Sequence, residues 1–119
     1  MSPVSTDLYS LATLSGLMQE CMRNCLDCMA SCRVRAEGCI GHPDMEACLR
    51  ACLDCQATCD ASVALMGFKS PLHTQMCGVC ADACERCAEE CAKHDADHCQ
   101  ACAEACRRCA ATCREMAQA

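Results

Sequence analysis

Cysteine is the residue type that could carry chemistry in this chain, because 19 of its 119 residues are cysteines. Eighteen of them, called the seam cysteines below, form four runs in which successive thiols stand alternately three and four residues apart. The runs are Cys21, Cys25, Cys28, Cys32; Cys48, Cys52, Cys55, Cys59; Cys77, Cys80, Cys84, Cys87, Cys91; and Cys99, Cys102, Cys106, Cys109, Cys113. Surroundings made only of thiolates select Cu(I), Zn(II) or iron–sulfur clusters.

The spacing of the cysteines predicts four helices. Steps of three and four place every cysteine of a run on one helix face, whereas strands would need period 2, which is absent. The breakers GCIGHPD, GFKSP and KHDADH separate the segments, which are predicted as helices over about 18–37, 44–66, 71–93 and 96–117. Because short links make consecutive helices antiparallel neighbours, we expect an all-α, antiparallel up-down-up-down four-helix bundle. Residues 1–119 would form one domain, with 1–17 as a capping segment.

Plain packing does not account for so many cysteines on these faces. A buried cysteine is a small hydrophobe, and burying a leucine side chain in its place is worth about 1.5–3 kcal/mol. A bundle filled with small side chains is under-packed unless something else occupies its axis. Disulfides within a helix would be strained, because Cβ atoms at i,i+3 or i,i+4 are about 5–6 Å apart and a disulfide needs about 3.8 Å.

Metal binding accounts for the pattern, because a CxxC or CxxxC pair on one helix turns two sulfur atoms toward one soft ion. Zn(II) prefers a tetrahedron, so facing helices would have to supply a second pair, which we expect to be hard to repeat along the whole bundle. Buried thiolates need counter-charge, and about one Cu(I) per thiolate would neutralise them, which predicts of order 15–20 monovalent ions.

One end of the predicted bundle collects the first-to-second and third-to-fourth links, and it is named the mouth. It holds His42, Met45, His94 and His98, which we predict as further metal ligands that pass ions inward. Cys39 lies nearby, seven residues after Cys32, with Arg35 at the intervening seam position. Cys39 is therefore a weaker candidate ligand than the seam cysteines.

The opposite end of the bundle is predicted to be closed by apolar residues and is named the plug. Met66, Met116, Phe68 and Leu72 collect there. The N-terminal segment could fold over it as a lid through its leucines, which are Leu8, Leu11, Leu14 and Leu17.

The overall composition excludes several classes of function. The formal charge is −6, with acidic and basic residues mixed, so no basic block predicts nucleic-acid binding. No stretch approaches the roughly 20 apolar residues of a membrane span, and the N-terminus MSPVSTDLYSLATLSG lacks the features of a leader. We therefore expect a cytoplasmic protein with reduced thiols. No nucleophile–base–orienter set indicates an enzyme.

Two alternatives stay open from the residues. One is a reservoir for zinc or another soft metal. The other is a thiol redox protein that uses CxxC pairs, although such a motif typically opens a helix after a strand and no strand is predicted here.

The four runs of the CxxxCxxCxxxC type, on short-linked helices and without a leader, resemble the cytosolic copper storage proteins. The resemblance spans residues 18–118, beginning with CMRNCLDCMASC at Cys21. It implies a four-helix bundle that stores many Cu(I) ions for copper buffering and detoxification, with the nineteen cysteines as ligands. It also implies a homotetramer and copper uptake near the histidines. Apart from the resemblance, a copper chaperone is the candidate donor.

Overall fold

The computed structural model describes residues 14–119, which contain four α-helices and one short 3₁₀ turn. The helices are α1 (Gly16–Cys39), α2 (Glu46–Gly67), α3 (His73–Ala92) and α4 (Asp97–Gln118), and the 3₁₀ turn is Pro43–Met45. Leu8 and Leu11 of the predicted lid lie outside the described residues. None of the described helices is long and apolar enough to cross a membrane.

The helix starts and links follow ordinary local chemistry. The Ser15 side chain caps α1 by accepting a hydrogen bond from the Met18 backbone N–H at 3.2 Å. Gly41 adopts a φ of +83° in the link after α1, a conformation that costs glycine little because it has no Cβ. Pro43 opens the 3₁₀ turn, where its missing N–H is harmless. These short links reverse the chain direction at each end.

The helices form a closed ring in which each packs on its neighbours in sequence and α1 also packs on α4. Small residues make this close approach possible. Buried alanines flank the cysteine faces, and they include Ala51 on α2, Ala81 and Ala88 on α3, and Ala103 and Ala110 on α4. Because alanine adds little bulk between backbones, the helices approach closely and the cysteines are left to fill the axis. The predicted all-α four-helix bundle is confirmed.

The plug end is closed mainly by methionines rather than by the whole predicted apolar set. Met66 and Met116 are buried, and Leu14 and Leu17 are partly buried against the core. Phe68 is 82% exposed and Leu72 is 56% exposed. The prediction that Phe68 and Leu72 help to close this end was therefore wrong. Among residues 14–119, the turn after α2 directs both side chains outward.

Candidate metal-binding core

The core of the bundle is made largely of sulfur. All nineteen cysteines are buried, none more than 2% exposed, and all are free thiols. Each helix turns its run of cysteines toward the axis because the alternating steps of three and four follow the helical repeat. The inward orientation predicted from the spacing is confirmed.

The seam cysteines stack in five levels, called sulfur layers, numbered from the plug to the mouth. Each layer takes one position from each helix, and α1 and α3 run opposite to α2 and α4. The layers are Cys21, Cys77, Cys113; Cys25, Cys59, Cys80, Cys109; Cys28, Cys55, Cys84, Cys106; Cys32, Cys52, Cys87, Cys102; and Cys48, Cys91, Cys99. Cys21 pairs with Cys113 and Cys32 pairs with Cys102, which shows that α1 and α4 are antiparallel.

Sulfur atoms in neighbouring positions are in van der Waals or weak hydrogen-bonding contact. Within layer 3, Cys28 Sγ lies 3.3 Å from Cys55 Sγ and 3.6 Å from Cys106 Sγ, and Cys55 Sγ lies 3.4 Å from Cys84 Sγ. Contacts of 3.7–4.0 Å also join successive layers, as between Cys25 and Cys113 at 3.7 Å and between Cys28 and Cys32 at 4.0 Å. These separations far exceed the about 2.05 Å of a disulfide. The sulfurs therefore form a continuous bore of thiols.

Two layers have a residue other than cysteine at one helix position. In layer 1, α2 contributes Ser62, which is fully buried and donates to the Met76 carbonyl at 3.5 Å. In layer 5, α1 contributes Arg35, which is also fully buried. The spacing marks both positions, since Ser62 follows Cys59 by three residues and Arg35 follows Cys32 by three. Only the structure shows that an arginine is enclosed there.

Burial keeps thiols at the mouth protonated in the metal-free protein. It raises the pKa of Cys48 from its ordinary 9.0 to about 12, and neighbouring Cys52 adds to the effect. Burial also raises the pKa of Cys39, although the Arg35 charge opposes this. In contrast, hydrogen bonds from Cys106, Cys109 and other thiols lower the pKa of Cys28. A metal ion that binds Cys48 or Cys39 must therefore displace a proton.

The sulfur geometry accepts metal ions, and it does so repeatedly along the axis. Four groups of four cysteine sulfurs each lie mutually within 4.8 Å, one of them Cys25, Cys59, Cys80 and Cys109. Two of these groups take one sulfur from each helix, and the other two take two sulfurs from a single helix. Successive groups share Cys59, then Cys28 and Cys55, then Cys32. Separate tetrahedral ions cannot all be bound at once, whereas ions joined by bridging thiolates can.

The mouth residues converge on one cleft of about 480 Å³. Its lining includes all four predicted ligands outside the cysteines, His42, Met45, His94 and His98, together with Arg35, Gly38 and Cys99. His42 and His98 are exposed, whereas Met45 and His94 are partly buried. Cys39 is 2% exposed. It lies close enough to Cys48 and Arg35 for both side chains to affect its pKa. The structure thus brings the predicted mouth residues together at the end of the bore.

Four helices that enclose an axis of free thiols, open to a histidine-lined cleft at one end, define a thiolate metal-binding four-helix bundle. The sequence profile described as "Copper storage protein" matches residues 15–118, which is most of the chain. The chain belongs to the copper storage protein family.

Individual relatives agree in sequence and in fold. The uncharacterized cysteine-rich protein YhjQ of Bacillus subtilis strain 168 is 41% identical over 102 residues, covering 83% of this chain and 94% of the relative. The Cu(I)-bound copper storage protein BsCsp3 of Bacillus subtilis is 40% identical, with a TM-score of 0.80 over 85% of this chain and 98% of that one. Ccsp from Streptomyces lividans, loaded with 10 copper equivalents, is 30% identical, with a TM-score of 0.82 over 97% and 95% of the two chains.

Proposed function

We propose that this protein stores Cu(I) in the cytoplasm, for copper buffering and detoxification, by binding many ions to the thiols of the bore. The observation that carries the proposal is the stacking of the buried seam cysteines, seventeen of which are joined to one another by sulfur contacts. A single structural metal site would need only four ligands. A bore of this length is suited to holding many ions of one kind.

Charge and connectivity favour Cu(I) over Zn(II). A Zn(II) ion bound by four thiolates leaves two uncompensated negative charges in the core, which is costly to bury. One Cu(I) per thiolate leaves none, so the proposed capacity is of order 15–20 ions for nineteen thiols. The four-sulfur groups that share Cys28 and Cys59 suit bridging thiolates between adjacent Cu(I) ions. The copper-loaded relatives support the same choice of metal.

The mouth is proposed as the route by which copper reaches the bore. Imidazole nitrogen and thioether sulfur both bind copper, and His42, His94, His98 and Met45 line a cleft next to Cys99. We assign these four residues to transient binding of incoming ions. Cys39 is assigned to the storage set, because it is buried beside layer 5.

Several further assignments complete the proposal. The chain acts as a single metal-storage domain and not as an enzyme, and a copper chaperone is its candidate donor. Exposed Leu26 and Leu53 occupy matching positions one residue after Cys25 and Cys52. We propose that they contribute to contacts between copies in a homotetramer, the assembly that the family resemblance implies.

A metal titration tests the storage function. Reduced metal-free protein is titrated with Cu(I), and ultraviolet thiolate–copper absorption should rise until well over ten equivalents are bound. The same protein is titrated with Zn(II) as the comparison. Saturation at about four or five Zn(II), accompanied by weaker Cu(I) uptake, would instead identify a zinc reservoir. Rapid reversible oxidation of one specific cysteine pair would identify a redox protein.

A further inference from the structure

Arg35 is a buried arginine at the mouth end of the bore, in a position where the other three helices place cysteines. It follows Cys32 by three residues and precedes Cys39 by four, so the helical repeat turns it toward the axis. Its side chain is fully buried, at 0% exposure. Arg35 therefore completes layer 5 with Cys48, Cys91 and Cys99.

The guanidinium of Arg35 is charged but has no carboxylate partner among residues 14–119. The ion pairs within that range all involve other side chains, and the Nε of Arg35 has no hydrogen-bond acceptor. An unpaired buried charge is costly. Stability alone would favour an apolar side chain here.

The two terminal nitrogens of Arg35 contact the atoms that the mouth offers to a soft metal. Nη1 lies 3.5 Å from His98 Nε2 and donates to it in the tautomer with the proton on Nδ1. Nη2 donates to Met45 Sδ at 3.8 Å. A Cu(I) ion would need these same two lone pairs. In the metal-free protein, a protein cation occupies them.

Gly38 makes this arrangement possible by leaving room beside it. A Cβ at position 38 would lie 3.2 Å from His98 Nε2 and 3.7 Å from Arg35 Nη1. A larger side chain would push the imidazole away from the guanidinium. Arg35, Gly38 and His98 thus lie together between the cleft and the first thiols of the bore.

We propose that Arg35 is the gate of the bore, a fixed cation that an incoming Cu(I) ion must displace from His98 and Met45 before it reaches layer 5. This inference rests on the proposed storage function. Arg35 keeps its proton and its charge when it moves, copper does not change oxidation state, and the thiols that bind the ion release their protons to solvent. The gate repels monovalent cations by charge and covers Cys48 and Cys91 by bulk, whereas Cys99 lines the cleft.

The test compares Arg35→Ala with Arg33→Ala, a matched control on the same helix. Arg33 is exposed and hydrogen-bonds to Gln56 at 2.8 Å, so the control removes an equal charge without opening the mouth. The first readout uses no metal. Reduced protein is treated with iodoacetamide, a neutral reagent, and mass spectrometry follows alkylation of each cysteine. The second readout is the initial rate of Cu(I) uptake from a chelator complex.

Arg35→Ala should raise both the alkylation rate of Cys48 and Cys91 and the Cu(I) uptake rate by about tenfold, since two hydrogen bonds and the covering side chain are lost. Arg33→Ala should match the wild type. If Arg35→Ala does not fold, Arg35→Leu keeps the buried volume and should still speed Cu(I) uptake, because the repelling charge is gone. Rates within twofold of Arg33→Ala in the folded variants would overturn the gate.

The total number of Cu(I) ions bound reports separately on storage. Arg35→Ala should retain the wild-type capacity, because it removes no thiol. If the wild type itself binds few Cu(I) ions, the proposed function fails. The alkylation result then still decides whether Arg35 covers the thiols.

Discussion

Replacing Cys28 with leucine should block the sulfur bore at its middle layer. Cys28 Sγ lies 3.3–4.0 Å from the sulfurs of Cys55, Cys106 and Cys84, so the larger side chain would fill the space that ions must cross. Overpacking of this kind costs about 1–3 kcal/mol, against a total stability of about 5–15 kcal/mol for a typical domain. The variant should therefore fold.

The expected loss of capacity follows from the position of the block. Layers 4 and 5 together with Cys39 hold eight of the nineteen thiols on the mouth side, and layers 1 and 2 hold seven on the plug side. With about one Cu(I) per thiolate, the rapid phase of uptake should end near eight equivalents in Cys28→Leu. In the wild type, it should continue to of order 15–20 equivalents.

The assay is rapid-mixing ultraviolet absorption at increasing Cu(I) ratios, with a chelator present to remove loosely bound metal. Cys28→Ser is the matched control, because it removes the same sulfur without adding bulk, and it should lose only about one rapid equivalent. If Cys28→Leu and Cys28→Ser bind the same number of Cu(I) equivalents in the rapid phase, ions do not travel along the axis. That result would refute the sequential filling of layers.

The remaining predictions concern stability and assembly. Burial raises the pKa of the Cys48 thiol from 9.0 to about 12, so the folded state retains a proton that the unfolded state loses above its ordinary pKa. The urea midpoint of the metal-free protein should therefore be highest below pH 9 and fall from pH 9 to 12; a rise would contradict this. Ser15→Ala removes the cap of α1 and should cost about 1 kcal/mol in urea unfolding, while the rapid Cu(I) capacity stays unchanged. The double variant Leu26→Asp, Leu53→Asp should dissociate the proposed tetramer in sedimentation equilibrium; an unchanged mass would remove these leucines from the interface.

The sequence predicted the bundle and the sulfur core because both depend on local spacing. Steps of three and four along one helix decide which face Cys21 and Cys25 share, whatever the helix packs against. The breakers around Pro43 and Pro71 separate the helices for equally local reasons. The histidine cleft was predictable too, since short links in an antiparallel bundle bring alternate turns to the same end.

Other features depended on contacts between helices and could not be predicted from spacing. The exposure of Phe68 and Leu72 follows from the direction of one turn. The enclosure of Arg35 by Met45 and His98 requires three segments to meet.

The sequence by itself determined that this chain forms helices with one sulfur face each and belongs among copper storage proteins. Tertiary structure alone decided which thiols meet, so that Cys28 of α1 contacts Cys55 of α2 and Cys106 of α4. The physical reason is that residue spacing sets the angular position of a side chain around its own helix. The offset of one helix along another is set by link geometry and by the close packing of small side chains between them.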